Sequence, residues 1–190
     1  MAASDPAAGT VEKPSEAKQR NIFLIGPMGS GKSTIGRLLA KNRKMVLYDS
    51  DREIEQRTGV DIPMIFEYEG EAGFRRREAE IIAELTALSD IVLATGGGSV
   101  LLAENRAALK KNGFVVYLRC TVDRQLERTH KDNHRPLLRT ENPRARLEEL
   151  MTMREPLYRE VADLIVDTGR YSSRQAAREI LRVLNLASEP

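Results

Sequence analysis

The stretch GPMGSGKS, residues 26–33, decides the fold of this chain. Two glycines separated by four residues and followed by Lys32 and Ser33 form a phosphate-binding pattern. Glycine lets consecutive backbone N–H groups point at phosphate oxygens. Lys32 supplies a positive charge for the β- and γ-phosphates of a nucleotide, and the Ser33 hydroxyl can ligate the Mg²⁺ that bridges them.

The residues on either side of this loop predict a strand before it and a helix after it. Residues 22–25 (IFLI) form a short apolar run that is typical of a buried strand. Ile35, Leu38 and Leu39 mark one face of the following helix. This strand–loop–helix setting favours a functional phosphate loop over a chance match in an ordinary turn.

Length and composition indicate one compact domain of a soluble globular protein. The chain has 190 residues, of which 41% are hydrophobic and 31% charged, and no apolar run is long enough to span a bilayer. A net charge of +2 gives no general attraction for nucleic acid. The single cysteine, Cys120, excludes an internal disulfide and favours a reducing cytoplasm, and we predict that it is an unreactive structural thiol.

Residues 1–19 predict a disordered leader, because they are rich in Ala, Pro, Ser and Glu and lack hydrophobic periodicity. They contain no apolar core of a secretory signal, and their acidic residues argue against a transit peptide. We expect a single domain containing the phosphate loop over residues 20–187.

Strand and helix patterns alternate along the rest of the chain. Four further strands are predicted at 45–48, 91–94, 114–118 and 164–166. Alternation of this kind predicts a three-layer α/β/α fold, with a central parallel sheet of about five strands covered by helices on both faces.

Local signals set several helix ends. A helix over 103–112 is expected to end at Gly113 in the C′ position, and Asn142 is expected to cap the helix that Pro143 begins. Pro156 predicts a bend or break near Glu155. Further caps are expected at Thr121 and at Ser172 or Ser173, the latter for a helix over about 173–186.

Three polar clusters follow strands directly, at 26–33, 49–51 and 95–98. Ligands of parallel sheets bind at the carboxyl ends of the strands, so these clusters should converge on one edge. Asp49 and Asp51 could serve a magnesium ion and an attacking hydroxyl, respectively or in exchange. Alternatively, Asp51 only caps a helix that begins at Arg52.

Two further stretches suggest a ligand contact. In residues 74–78 (FRRRE), Arg75 and Glu78 share a helix face, so that the carboxylate can orient the guanidinium for bidentate recognition of another carboxylate. A solvated charged face is the alternative. Residues 96–98 (GGG) allow close approach of the backbone to a ligand, at an entropic cost that a plain turn does not explain.

The polar, basic loop at 130–139 predicts either an ordinary surface loop or a mobile lid, in which Arg135 closes on the transferring phosphoryl group. His130 and His134 have no partners at metal-ligand spacing, which argues against zinc. Arg154, close to Pro156, is placed to present its side chain into a cleft.

Taken together, these motifs resemble the shikimate kinase family, which is similar in fold to the nucleoside monophosphate kinases. The resemblance runs from about Arg20 to Leu186. It rests on six motifs in order: GPMGSGKS (26–33), DSD (49–51), GFRRRE (73–78), ATGGGSV (94–100), RPLL (135–138) and REPLY (154–158).

The resemblance implies ATP-dependent phosphorylation of the 3-hydroxyl of shikimate, giving shikimate 3-phosphate and ADP, within the biosynthesis of chorismate and the aromatic amino acids. It implies a substrate-binding region at about 49–80 and a lid at about 129–142. By motif position, the residues that would cradle the ATP phosphates are Gly29, Ser30, Gly31, Lys32, Ser33 and Thr34. Magnesium would be held by Ser33, with Asp49 in support.

The same resemblance implies the remaining roles. Asp51 would bind the substrate hydroxyls and act as the general base, while Arg75 and Arg154 would clamp the substrate carboxylate. Glu78 would orient these arginines, and Gly97 and Gly98 would contact the substrate through their backbones. The catalytic group would then be Lys32, Asp51 and Arg135.

At the nucleotide end, the resemblance implies that Arg135 reaches the phosphates from the lid and that Arg128 lies against the adenine. Tyr171 and Ser172 are assigned to the second wall of the adenine site, although residues 169–173 lack the proline that family members often carry there. The alternatives are another small P-loop kinase, such as a gluconate or nucleoside monophosphate kinase, and a silent nucleotide-binding relative. We expect a monomer without nucleic-acid or membrane partners.

Overall fold

Parallel strands run side by side through the centre of the molecule. A computed structural model describes residues 21–129 and 140–188. Within these ranges the strands are β1 (Ile22–Ile25), β2 (Val46–Asp49), β3 (Ile91–Ala94), β4 (Phe114–Arg119) and β5 (Leu164–Asp167). They form one sheet in the order β2-β3-β1-β4-β5, and every neighbouring pair is parallel. The prediction of a parallel sheet of about five strands is confirmed.

The helices of the described ranges connect these strands. They are α1 (Lys32–Arg43), α2 (Ser50–Thr58), α3 (Ile62–Thr86, kinked at Gly70), α4 (Ala103–Asn112), α5 (Val122–Thr129), α6 (Pro143–Val161) and α7 (Ser173–Ser188). The predicted leader (1–19) lies outside the described residues. So does most of the predicted lid, including His130, His134 and Arg135.

Alternate residues of the central strand serve two separate cores, which confirms the three-layer prediction. Ile22 and Leu24 pack in a cluster with residues of α1 and α7. Phe23 and Ile25 pack on the opposite face, with residues of α2, α3, α4 and α6. All four are at most 1% exposed. A continuous apolar run is therefore required, because a parallel strand covered on both faces has no solvent side.

A buried asparagine that the sequence analysis did not single out fixes the amino-terminal edge of the sheet. The Asn21 amide donates to the carbonyls of Leu88 and Asn112, at 2.7 and 3.1 Å. Its side-chain oxygen accepts the Ile91 N–H at 3.1 Å. One side chain thus pairs backbone groups at the end of α4, at the start of β3 and in the segment between α3 and β3. These groups would be costly to bury without a partner.

The structure differs from the sequence prediction at Gly113, which follows α4, and at Pro156, which lies within α6. Gly113 has φ −163, an extended conformation, so it is not a left-handed C′ residue. A side chain there would overlap the Phe23 ring, so packing is what requires glycine. Of the bend or break predicted near Glu155, a break does not occur, because α6 continues through Pro156. Proline removes one helical hydrogen bond, but buried residues on both sides, Leu150 and Tyr158 among them, hold the helix in place.

The predicted caps are present. The Asn142 side chain accepts the Ala145 N–H at 3.1 Å. At the start of α7, the Ser172 hydroxyl accepts the Gln175 N–H at 3.3 Å, and the Gln175 side chain accepts the Ser172 N–H at 2.9 Å. This reciprocal pair is a capping box, so Ser172 rather than Ser173 is the capping residue.

One ion pair joins the carboxyl ends of β4 and β5 and makes stability depend on pH. Arg119 donates to Asp167 at 2.8 Å, and this hydrogen bond lowers the pKa of the carboxyl. A lowered pKa stabilises the fold above the ordinary value of about 4, and this contribution is lost as the pH falls through the folded-state value. Arg119 is 43% exposed, so solvent screens the pair and we expect only about 0.5 kcal/mol.

We therefore expect Asp167→Asn to lower the free energy of unfolding slightly near neutral pH, with a difference from the wild type that shrinks below about pH 4. Urea unfolding at several pH values measures this. A difference that stays constant into strong acid would show that the carboxylate charge does not matter.

Candidate active site

The phosphate loop has a backbone that only glycine adopts easily. Gly29 and Gly31 have φ of 74 and 91, in the left-handed region. Gly31 also occupies the cap position of α1, which begins at Lys32. The amino terminus of a helix therefore opens directly onto the loop, where its unpaired N–H groups and positive dipole end favour an anion.

The Lys32 ammonium is held within this loop. Its Nζ donates to the carbonyls of Gly26 and Pro27, at 2.8 and 2.7 Å, and lies 3.4 Å from the Ser30 hydroxyl. These carbonyls hold the cation close to the loop. The loop therefore presents a positive charge among backbone N–H groups.

Asp49 and Asp51 differ in position: Asp49 precedes helix α2, and Asp51 lies in its first turn. Asp49 occupies the cap position of α2 without capping it, and its carboxylate accepts the Ser33 hydroxyl at 2.8 Å. The helix begins at Ser50, so the alternative in which Asp51 caps a helix beginning at Arg52 is wrong. Ser50, which the sequence analysis passed over, is buried and accepts the Gly96 N–H at 2.9 Å. It ties the glycine segment 96–98 to the start of α2.

A cavity of about 300 Å³ lies at the carboxyl edge of the sheet. Its walls are formed by Met28, Gly29, Gly31, Lys32, Ser33, Thr34, Asp49, Asp51, Thr95, Gly97 and Arg128. The three polar clusters at 26–33, 49–51 and 95–98 thus meet at one edge. Arg75, Arg154, Tyr171 and Ser172 are not among these lining residues.

The glycine segment 96–98 is where the cavity meets the arginines. A Cβ on Gly96 would lie 2.6 Å from Asp51 Oδ1 and 2.7 Å from Glu78 Oε1. One on Gly98 would overlap the Arg75 guanidinium, and one on Gly97 would lie 3.6 Å from Arg154 Nη1. None of the three glycines has a positive φ, so lack of space rather than conformation explains Gly96 and Gly98.

Arg75 and Glu78 form a buried pair at 2.6 Å, and Arg75 also contacts Glu71 at 2.9 Å. Glu78 is fully buried, which rules out a solvated charged face for this part of the helix. Burial raises the pKa of Glu78, and Arg75 opposes that rise. The neighbouring Arg77 does face outward, where it pairs with Glu69 at 2.6 Å.

Arg154 is buried on α6, with 4% of its surface exposed. Among the residues that the structure describes, no carboxylate lies within ion-pair distance of it, and its Nε has no hydrogen-bond partner. Burial lowers the pKa of this guanidinium, and the nearby charge of Arg75 lowers it further. A buried cation in this state is costly unless an anion joins it.

Arg128 connects the phosphate loop with the end of β5. It donates to the carbonyls of Gly29 and Thr168, at 2.9 and 3.1 Å. Cys120 is buried against this contact, and burial raises the pKa of its thiol, as expected for an unreactive cysteine. Tyr171 is 44% exposed, and Ser172 caps α7.

Because Gly96 has no room for a methyl group, we expect Gly96→Ala to displace Asp51 or Glu78 and to lower turnover at least tenfold. The matched control is Gly59→Ala, at a position where nothing lies within 4 Å of the added carbon, although its φ of 72 costs some stability. Steady-state kinetics beside thermal unfolding separates the two effects. Equal activity in both variants would contradict the crowding at Gly96.

The chain is similar to known proteins of one family. The sequence model of the shikimate kinase family matches residues 28–185. The chain is 68% identical to the shikimate kinase of Methylococcus capsulatus over 163 residues, covering 86% of this chain and 91% of the relative. It is 52% identical to that of Nitrosospira multiformis, over 99% of this chain and 98% of the relative.

A solved structure of shikimate kinase from Acinetobacter baumannii in complex with shikimate is similar throughout. It superposes with a TM-score of 0.88 at 48% sequence identity, covering 93% of this chain and all of that one. In the described part of the present chain, no helix is long and apolar enough to cross a membrane.

Proposed function

The chain belongs to the shikimate kinase family, and from this premise we propose that it transfers the γ-phosphoryl group of ATP to the 3-hydroxyl of shikimate. The products are shikimate 3-phosphate and ADP, and the reaction belongs to aromatic amino acid biosynthesis. Shikimate is a small carboxylic acid with several hydroxyl groups, so its site must supply cations for the carboxylate and acceptors for the hydroxyls.

The observation that carries this proposal is the buried Arg154 beside the glycine segment. It has no carboxylate partner among the described residues, and Arg75 lies near enough to disfavour its charge. A substrate carboxylate between the two guanidinium groups would give Arg154 the anionic partner that it lacks among the described residues. Glu78 would keep Arg75 in position, and the backbones of Gly97 and Gly98 would contact the substrate.

ATP would lie in the neighbouring cavity. We propose that its phosphates bind the loop residues, which are Gly29, Ser30, Gly31, Lys32, Ser33 and Thr34. Arg128 borders the same cavity and would lie against the adenine. The assignments of Arg135 to the phosphates and of Tyr171 and Ser172 to the adenine remain predictions.

The neighbouring oxygens of Ser33 and Asp49 fit a magnesium ion, since both are hard donors and they lie 2.8 Å apart beside the phosphate loop. No cluster of three or more His, Cys, Asp or Glu side chains suited to a metal occurs in the described ranges. That agrees with a magnesium ion bound mainly by nucleotide phosphates and water. When bound, it would neutralise phosphate charge.

In the proposed reaction, Asp51 accepts the proton of the 3-hydroxyl of shikimate while the oxygen of that hydroxyl attacks the γ-phosphorus. A bond forms between these two atoms, while the bond from the γ-phosphorus to the β–γ bridging oxygen breaks and ADP leaves. Asp51 borders the same cavity as Lys32, so acceptor and phosphates would meet there. Lys32 stabilises the charge on the phosphoryl oxygens, and Arg135 would add a second cation.

A coupled assay of ADP release tests the proposed function. We expect release with shikimate, little or none with gluconate or nucleoside monophosphates, and loss of the signal when EDTA replaces Mg²⁺. Preference for gluconate or a nucleotide would favour the other small P-loop kinases. Absence of release with every acceptor would favour a silent nucleotide-binding relative. We also propose that the enzyme is cytoplasmic and monomeric.

A further inference from the structure

We propose that Tyr158 is a positioning residue for substrate binding: its hydroxyl holds the Arg154 guanidinium and the Gly97 carbonyl in a fixed relation and so sets the affinity for the shikimate carboxylate. This inference rests on the proposed function. Neither the phosphate loop nor the two arginines by themselves explain why a tyrosine is needed here.

Tyr158 is a fully buried tyrosine with its hydroxyl at the glycine segment. It is 0% exposed, and the hydroxyl donates to the carbonyl oxygen of Gly97. A buried hydroxyl must be paired, and so must a buried carbonyl, so each satisfies the other. The bond links α6 to the segment that borders the nucleotide cavity.

The same hydroxyl faces Arg154. The two residues are four apart on α6, which places them on one face of the helix. Gly97 brings the two side chains together, because the Tyr158 hydroxyl donates to its carbonyl and Arg154 Nη1 lies 3.6 Å from the place of a Cβ on Gly97. The Arg154 charge also opposes the rise that burial causes in the pKa of Tyr158. A tyrosine oxygen can accept from a guanidinium while it donates to a carbonyl. Tyr158 therefore joins two groups that we assign to the substrate.

A second tyrosine fixes the ring of Tyr158 from behind. The Tyr117 ring stacks on it, with centroids 4.9 Å apart and an angle of 22° between the planes. The Tyr117 hydroxyl donates to the Glu155 carboxylate, which also accepts the Arg159 guanidinium at 2.8 Å. A stacked ring with only two side-chain torsions keeps its hydroxyl in one place. Packing thus orients Tyr158, and its hydroxyl orients Arg154.

Substitution Tyr158→Phe tests this inference, with Tyr117→Phe as the matched control. Each removes one hydroxyl from the same stacked pair, but the Tyr158 hydroxyl bonds to Gly97 beside Arg154, whereas the Tyr117 hydroxyl bonds to Glu155. We expect Tyr158→Phe to raise the KM for shikimate about tenfold, with kcat and the KM for ATP changed by less than about twofold. Tyr117→Phe should leave the KM for shikimate unchanged.

A purely structural role predicts a different pattern, which shikimate methyl ester can reveal. The ester lacks the carboxylate charge, so the wild type should prefer shikimate strongly. If Tyr158 acts through Arg154, that preference falls about tenfold in Tyr158→Phe and stays at the wild-type value in Tyr117→Phe. An unchanged preference in Tyr158→Phe would overturn the inference, as would an equal loss in both variants.

Two further measurements keep the test decisive. In an Arg154→Met background, Tyr158→Phe should add less than about twofold to the KM for shikimate, because the two residues act as one unit; a full additive effect would contradict this. If Tyr158→Phe does not fold, Tyr158→His, whose shorter side chain does not reach Gly97, provides the same ester comparison. Lack of wild-type activity on shikimate would instead refute the proposed function itself.

Discussion

Lys32→Ala is expected to lower the turnover of shikimate about a thousandfold or more, while the protein remains folded. Phosphoryl transfer depends mainly on positioning and on neutralising charge, and removal of a well-placed cation from such a site typically has an effect of this size. Lys32 is the charged group of the phosphate loop, and its ammonium already lies among the loop carbonyls. Single-turnover kinetics at saturating ATP isolates the chemical step.

The matched control is Lys41→Ala, which removes an exposed lysine from the last turn of the same helix. Its turnover should equal that of the wild type. Because Lys32 also donates to Gly26 and Pro27, thermal unfolding of Lys32→Ala must be measured as well. A folded Lys32→Ala variant that keeps more than about a tenth of the wild-type turnover would refute the assigned role.

The second large effect is expected at Arg154 and Arg75. Substitution of either should weaken shikimate binding, but only that of Arg75 should also lower the free energy of unfolding. Arg154→Met should raise the KM for shikimate by the equivalent of about 2–5 kcal/mol, because it removes a charged partner from a desolvated carboxylate. It should not destabilise the free protein, since no described carboxylate loses its partner. Arg75→Met should weaken binding similarly but also leave the buried Glu78 unpaired, at a cost of about 3–5 kcal/mol in folding.

Shikimate kinetics and urea unfolding of both variants distinguish these expectations. Arg146→Met serves as the control, because Arg146 lies on the same helix as Arg154 and pairs only with Glu149 at the surface in the described structure. Arg146→Met should change neither the KM for shikimate nor the free energy of unfolding appreciably. A normal KM for shikimate in Arg154→Met would remove the main support for the proposed acceptor site. Equal loss of stability in Arg75→Met and Arg154→Met would contradict the difference in their pairing.

Local sequence signals were sufficient wherever backbone conformation alone decides the outcome. The loop at 26–33 predicted its own conformation, because Gly29 and Gly31 adopt positive φ angles that other residues avoid. The apolar runs predicted the strands, and Asn142 and Ser172 predicted helix starts, because side-chain caps act within four residues. At Pro156 the local signal was not sufficient. The helix continues there because packing of its buried residues outweighs the loss of one backbone hydrogen bond.

The charged residues around the glycine segment were harder to assign. The spacing of Arg75 and Glu78 predicts a shared face but not its burial, so the sequence left both a solvated face and a ligand contact open. Burial of Glu78 excludes the solvated face, while the ligand contact stays a prediction. Ser50 and Tyr158 lie in two of the quoted motifs, but the sequence indicated no role for them, because their partners, Gly96 and Gly97, lie 46 and 61 residues away.

By itself, the sequence determined the order of strands and helices and the phosphate loop. It did so through short-range rules of backbone conformation and hydrophobic spacing. Only the tertiary structure decided which side chains share the carboxyl edge of the sheet, and which charges there are paired. The reason is physical: burial and long-range contacts arise from the packing of α3 and α6 around residues 96–98, and no pattern within one segment specifies them.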